Sequence, residues 1–273
     1  MYYQFIPPSS ILAPYVKHYW MLETSACDGN VSERVVPTAN LQLMFHYRKP
    51  FVMTFPDRET AHQPQSFVSG LSSRFMDAST QGASGVITID FHPSGACNFF
   101  RFSLQELEDR SIKLNDIFSD EVKYLEEQIC ECRDLSSRIL IIEQFLIEKL
   151  VPVDLYDFRL ISQAVELVQQ SGGQIKATQL AGQLSITPKM LERKFASLIG
   201  KSPKQFIRIV RFQEVMGGLI SHRPKYLTEY AFNKGYFDQS HFIHEFKTFS
   251  GYTPCEFVKL CPCREDWLEA KTY

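Results

Sequence analysis

Phe195-Ala-Ser-Leu-Ile-Gly200-Lys-Ser-Pro203-Lys-Gln-Phe206 is answered 51 positions later by Phe246-Lys-Thr-Phe-Ser-Gly251-Tyr-Thr-Pro254-Cys-Glu-Phe257. In both stretches a glycine follows an apolar helical run, a hydroxyl residue stands two positions after it, and a proline comes next. Glycine suits the left-handed residue that closes a helix, Ser or Thr suits the N-cap of the next one, and proline suits its first turn. Each stretch therefore predicts a helix, a sharp corner and a second helix. Upstream, Thr187 and Asp238 stand at matching positions as N-caps, with Leu191 matching Phe242, so two copies of one unit lie in tandem.

The residues before each cap complete the unit. Thr178 to Leu184 places Leu180, Ala181 and Leu184 on one face of a short helix, and Ser185-Ile186 turns the chain towards a helix that starts at Pro188. In the second copy Leu227 to Gly235 plays the same part around Ala231, and Tyr236-Phe237 make the turn. A short helix, a tight turn with a small residue inside it and a longer helix form a helix-turn-helix. The second helices are amphipathic, burying Leu191, Phe195 and Leu198 in one and Phe242, Phe246 and Phe249 in the other. That leaves Lys189, Glu192 and Arg193, and Gln239, Ser240, Ile243 and His244, as candidate DNA-reading residues. Arg offers two donors to guanine, Gln pairs with adenine, Glu accepts from cytosine and Ile touches a thymine methyl. Each alone would pass for a solvated helix face; their matched placement in two repeats favours the reading surface.

With these residues in view, the C-terminal part resembles the AraC/XylS family of transcriptional regulators. The resemblance covers residues 156–260. It rests on Gly235 to Lys247, continuing through Gly251 to Phe257, with Leu180-Ala181, Leu191-Glu-Arg-Lys-Phe195 and Gly200 to Phe206 leading to Arg211. It implies two recognition helices in successive major grooves, joined here by a helix from Pro203 to about Ser221 that buries Phe206, Ile209, Val210 and Met216. Two positions depart from the family pattern. Gly217-Gly218 is expected to fray or bend the long helix, since glycine costs roughly 1 kcal/mol per residue there. Tyr230 is bulkier than the small aliphatic residue expected beside Ala231, and is expected to point outward.

The first half reads mainly as β. Leu41, Leu43, Phe45 and Tyr47 alternate onto one side of a strand, and Val86, Thr88 and Asp90 face away from Ile87, Ile89 and Phe91. Leu12-Ala-Pro-Tyr-Val16, Tyr19-Trp20 and Phe91-His-Pro-Ser-Gly95 resemble the N-terminal domains of some AraC-type regulators, which implies a degenerate cupin-like barrel that binds an effector or mediates dimerisation. Trp20, Arg34, Phe45 and Phe91 are candidate effector-binding residues, or plain core. Asp116 to about Cys132 and Leu135 to Leu150 read as helices that pack on the β unit or on a partner's copy, and Val151 to Leu155 as a linker. The expected fold class is α+β multidomain. A mainly β, barrel-like regulatory domain with trailing helices (1–151) precedes an all-α DNA-binding domain (156–260) and a tail (261–273).

The 273 residues are 44% apolar and 22% charged, ordinary for a folded chain. Net charge is −2, but residues 1–153 carry 13 Lys+Arg against 19 Asp+Glu while residues 154–260 carry 14 against 9, so a polyanion would prefer the C-terminal half. No basic start with an apolar run and no stretch of ~18 apolar residues is present, which predicts a cytoplasmic, nucleoid-associated protein with no membrane partner. Seven cysteines, among them Cys130-Glu-Cys132 and Cys261-Pro-Cys263, lack zinc-ligand spacing, and His46, His62 and His92 stand singly. No metal, cofactor or catalytic residue is expected. Double-stranded DNA is the expected partner, with RNA polymerase, a small-molecule effector and a second copy as further options. Two rivals are an alkyl-accepting DNA-repair protein, disfavoured by the spacing of Cys27, Cys97, Cys130 and Cys132, and an interaction module that no longer binds DNA.

Overall fold

The structure is a computed structural model and describes residues 1–222, 224 and 226–260. Strands β1 (Tyr2–Ile6), β2 (Val16–Thr24), β3 (Asn30–Val35), β4 (Gln42–His46), β5 (Val52–Thr54), β6 (Thr60–His62), β7 (Ser66–Ser69), β8 (Met76–Gln81), β9 (Ser84–Phe91) and β10 (Ser111–Lys113) come first. They form two antiparallel sheets, ordered β1-β2-β9-β4-β7-β10 and β3-β8-β5-β6. The mainly β, barrel-like first half expected from the sequence takes the form of two facing sheets.

Strand alternation decides what each face does. Tyr19 and Met21 of β2, Leu43 and Phe45 of β4, and Ile87, Ile89 and Phe91 of β9 point to one side of the larger sheet, into a core closed by helices. Those helices are α1 (Leu114–Phe118), α2 (Glu121–Glu131) and α3 (Leu135–Lys149). The single helix read over Asp116–Cys132 is thus two, broken where Ser119 takes a φ of 61°. The stripe Ile139, Ile142, Phe145 and Leu146 of α3 is buried within the chain, which settles it as internal packing. On the sheet's other side, Trp20, Leu22, Met44 and Val86 face the smaller sheet with Phe51 and Ala78. That inner face also carries His18, Gln42 and Asp90, and a cavity of about 1010 Å³ takes the place of a dry core.

The segment after α3 is extended, with Val151 N–H donating to Asn98 O at 2.7 Å and Val153 N–H to Asn98 Oδ1 at 3.0 Å. Asp154 then caps α4 (Leu155–Gln170) by accepting from the amides of Tyr156 and Asp157. Among the described residues six further helices follow: α5 (Ala177–Gln183), α6 (Pro188–Leu198), α7 (Pro203–His222), α8 (Leu227–Asn233), α9 (Gln239–Ser250) and α10 (Pro254–Leu260). The tail read over 261–273 lies outside the described residues, and with it Cys261 and Cys263. No described helix is long and apolar enough to cross a membrane.

Candidate nucleic-acid interface

The two tandem units are built by the same local devices. Ile186 N–H donates to Ala181 O, and Tyr236 N–H donates to Ala231 O, both at 3.1 Å. Ala181 and Ala231 are each 1% exposed, so only a small side chain fits inside either turn. The chain reverses through a left-handed residue in each, Ser185 at φ 53° and Gly235 at φ 80°. Thr187 Oγ1 then accepts from Met190 N–H at 3.2 Å and Asp238 Oδ1 from His241 N–H at 2.7 Å, which starts α6 and α9. The alanines are 50 residues apart and the caps 51, because the second turn holds one additional residue, Phe237, whose ring is 85% exposed.

The corners repeat as well. Ser202 and Gln205 exchange side-chain to backbone hydrogen bonds ahead of α7, and Thr253 and Glu256 do the same ahead of α10. Along α6, Leu191, Phe195 and Leu198 are buried while Lys189, Glu192 and Arg193 are exposed; along α9, Phe242, Phe246 and Phe249 are buried while Gln239, Ser240 and His244 are exposed and Ile243 is half-buried. Lys194, beside Arg193, is already committed to Asp157 of α4 at 2.5 Å.

Helix α7 joins the units and buries Phe206, Ile209, Val210 and Met216. It runs unbroken through Gly217-Gly218 to His222, against the expected fraying. The glycine has a reason. A Cβ at Gly218 would stand 1.9 Å from Tyr230 Oη, so Tyr230 turns inward over α7, with its hydroxyl donating to Val215 O at 3.2 Å. Burial, with Glu214 nearby, pushes that hydroxyl's pKa up to about 12. The two departures from the family pattern compensate each other: the missing side chain in α7 is the seat of the large one in α8.

A second tie between the units lay hidden in the sequence. Glu245 of α9, 1% exposed, accepts from Arg208 Nε at 2.6 Å and Arg211 Nη2 at 2.9 Å, both on α7. Burial alone would raise its pKa, but the charges and hydrogen bonds of the two guanidiniums outweigh that and hold it below the usual carboxylate range. Arg211 also lies over the Tyr236 ring at 4.5 Å, fixing the turn, α9 and α7 together.

Both glycine corners press on the N-terminal half. A Cβ at Gly200 would stand 2.6 Å from Leu104 O, and one at Gly251 would stand 2.6 Å from Arg34 Nη1 and 2.8 Å from the Phe75 ring. Next to Gly200, Lys201 is fully buried, donating to Ser73 Oγ (2.6 Å), Asp109 Oδ2 (2.8 Å) and Glu108 Oε1 (3.1 Å). Beside Gly251, Arg34 pairs with Asp77 at 2.8 and 2.9 Å, donates to Ser250 O at 3.3 Å, and lies between the rings of Phe75 and Tyr252 at 4.4 and 4.3 Å. The loop between β7 and β8, residues 70–75, thus touches one corner through Ser73 and the other through Phe75.

The same loop borders the inter-sheet cavity, whose lining includes Trp20, Arg34, Phe75 and Asp109. Phe45 and Phe91 require a correction. They are 1% and 0% exposed and belong to the helix-covered core, because the strand alternation that pairs each with its neighbours sends it to the sheet's other face. Among the described residues no group of three His, Cys, Asp or Glu is placed to hold a metal ion.

Residues 180–259 match the family model of a helix-turn-helix domain, and the repeat, the long connecting helix and the corner motifs described above fall within or beside that span. These residues form a helix-turn-helix domain of the AraC type. Residues 4–113, ahead of the AraC-type domain, match a family model described as a domain of unknown function (DUF6597). A search of curated proteins found no match. Among solved structures, ToxT from Vibrio cholerae is similar at 12% identity and a TM-score of 0.48, over 89% of this chain and 97% of that one. The C-terminal domain of AraT, a response regulator from Geobacillus stearothermophilus, is similar at 22% identity and a TM-score of 0.36, over 39% of this chain and 88% of that one. The AraC-like transcriptional activator CuxR is similar at 10% identity and a TM-score of 0.27, over 79% and 87%.

Proposed function

We propose that the chain is a sequence-specific regulator of transcription that lays α6 and α9 into successive major grooves on one side of a duplex. The observation that carries this reading is the pair of matched helices with exposed polar residues near their N-termini, both fastened to one helix, α7, by buried contacts. Successive grooves lie ~34 Å apart, so a reader of two grooves needs its two units held in fixed register. Glu245 and the Gly218–Tyr230 seat supply that rigidity.

Arg193 reads guanine, Gln239 adenine, Glu192 cytosine and Ile243 a thymine methyl, with Lys189, Ser240 and His244 completing the two surfaces. Phe237, exposed just before the cap of α9, adds an apolar contact that the sequence repeat concealed by its one-residue offset. Residues 156–260 form the DNA-binding unit. Residues 1–151 regulate it, sensing a small molecule in the inter-sheet cavity; the shared loop at 70–75, which borders that cavity and touches both corners, supports this. The setting is the cytoplasm, at the nucleoid, with RNA polymerase as the downstream partner and no reaction catalysed. Arg193→Ala should cost ~1 to 3 kcal/mol on the preferred duplex and relax choice at one position, whereas Lys204→Ala, exposed at the start of α7, should weaken all sequences alike. Equal loss on every duplex for both variants would defeat the base-reading role.

A further inference from the structure

The floor of the inter-sheet cavity carries a small polar cluster. His18 on β2, Gln42 on β4 and Asp90 on β9 meet because both His18 and Gln42 lie opposite Asp90 in the sheet register. His18 Nε2 lies 3.0 Å from Asp90 Oδ2, and Gln42 Nε2 donates to Asp90 Oδ1 at 2.7 Å. All three residues line the cavity; His18 is 3% exposed and Asp90 8%. The Nδ1 atom of His18 is buried with no partner in the protein. A buried ring nitrogen left without a partner costs free energy, and the cluster it belongs to lines the cavity.

The chemistry of the cluster selects the ligand. His18 turns its Nε2 to Asp90, so the polar atoms left to face a ligand are those of Asp90 and Gln42. The carboxylate offers acceptor lone pairs only, and Gln42, with its amide N–H turned to Asp90, has a carbonyl oxygen to offer. The floor is a set of acceptors around a negative charge. The cation nearest in kind, Arg34, is spent on Asp77 and on the C-terminal corner. Trp20, Met44, Phe5, Phe67, Met53 and Phe55 form the apolar part of the walls, and the exposed Arg74, Arg110 and Lys113 also line the cavity.

We propose that this cavity binds a flat or aliphatic apolar molecule whose polar end is a hydrogen-bond donor, an amine or a hydroxyl, and that it rejects the corresponding acid. The inference rests on the sensing role given above to the N-terminal half. The head donates to Asp90 and to the Gln42 carbonyl oxygen, and the body lies along Trp20 and Met44.

Three indoles of nearly equal size separate the possibilities: tryptamine, tryptophol and indole-3-acetate, each titrated calorimetrically into the full-length protein. Tryptamine and tryptophol should bind at about millimolar Kd or better and at least roughly tenfold more tightly than indole-3-acetate. Asp90→Asn should lower tryptamine affinity by roughly tenfold and abolish the discrimination between heads, whereas Trp20→Ala should weaken all three alike; circular dichroism checks that each variant folds. Tighter binding of the acid, an unchanged preference in Asp90→Asn, or no binding of any of the three would overturn the proposal. The same ligands added to a DNA-binding assay test the sensing role separately. Donor-headed binding that leaves DNA affinity unmoved would refute sensing and leave the ligand class standing.

Discussion

Replacing Gly218 by alanine sets two known effects against each other. Within a helix, alanine is favoured over glycine by about 1 kcal/mol, so in an ordinary setting Gly218→Ala would stabilise α7. Here the new methyl would stand 1.9 Å from Tyr230 Oη and 3.0 Å from its Cζ. Tyr230 would have to leave its seat, losing the hydrogen bond to Val215 O, worth about 1 kcal/mol, and tight packing worth about 1 to 2 kcal/mol. The net expectation is a loss of about 1 to 2 kcal/mol. In a Tyr230→Leu background nothing reaches the methyl, and the same substitution should gain about 1 kcal/mol, giving a coupling of about 2 to 3 kcal/mol between the positions. Urea unfolding of the four proteins, with m-values compared, measures this directly. If Gly218→Ala stabilises both backgrounds equally, the tyrosine is not seated on α7 and the compensation is refuted.

Further expectations concern the buried charges. Glu245→Gln should cost about 2 to 3 kcal/mol, short of the roughly 3 to 5 expected for a fully buried pair because Arg208 is 37% exposed and regains water. Since the Glu245 pKa is lowered on folding, its stabilising effect is present above the ordinary 4.5 and is lost as pH falls below it, so the variant should show a flatter acid limb in unfolding titrations. His46 behaves in the opposite sense to a salt-bridged histidine: burial lowers its pKa from 6.5 to about 4, with the hydrogen bond to Gln63 opposing weakly. The unfolded chain therefore binds a proton that the folded chain refuses, and stability should drop by roughly 3 kcal/mol as pH falls from 6.5 towards 4. His46→Phe should remove that slope. Lys201→Met should cost only about 1 to 2 kcal/mol, because Glu108 and Asp109 are 27% and 40% exposed and can rehydrate, but amide exchange at residues 200–202 and in the 70–75 loop should rise together.

Much of the C-terminal domain was legible because its signals are local. Glycine, hydroxyl cap and proline in a row specify a corner from four residues, and Ala181 and Ala231 declare the tight turns by their size. What escaped is non-local. Nothing in the neighbours of Glu245 says that Arg208 and Arg211 will face it across two helices. Nothing beside Lys201 says that a lysine in an apparent surface corner is fully buried against Ser73, Glu108 and Asp109. Gly218 and Tyr230 each looked like a fault when read alone, since their fit depends on two helices packing. In the β half, the alternation of Phe45 and Phe91 was read correctly, but a strand does not reveal which of its faces meets helices and which meets the second sheet. Only that missing fact excluded the two phenylalanines from the cavity and put His18, Gln42 and Asp90 there instead.

The account depends above all on two helices reading two grooves. Selecting duplexes from a randomised pool with the wild-type chain, and repeating the selection with Arg193→Ala and with Gln239→Ala, tests it most directly. The account predicts two short preferred blocks about one helical turn apart, one losing its preference in the first variant and the other in the second. A single block, or two blocks that both variants blur equally, would contradict it.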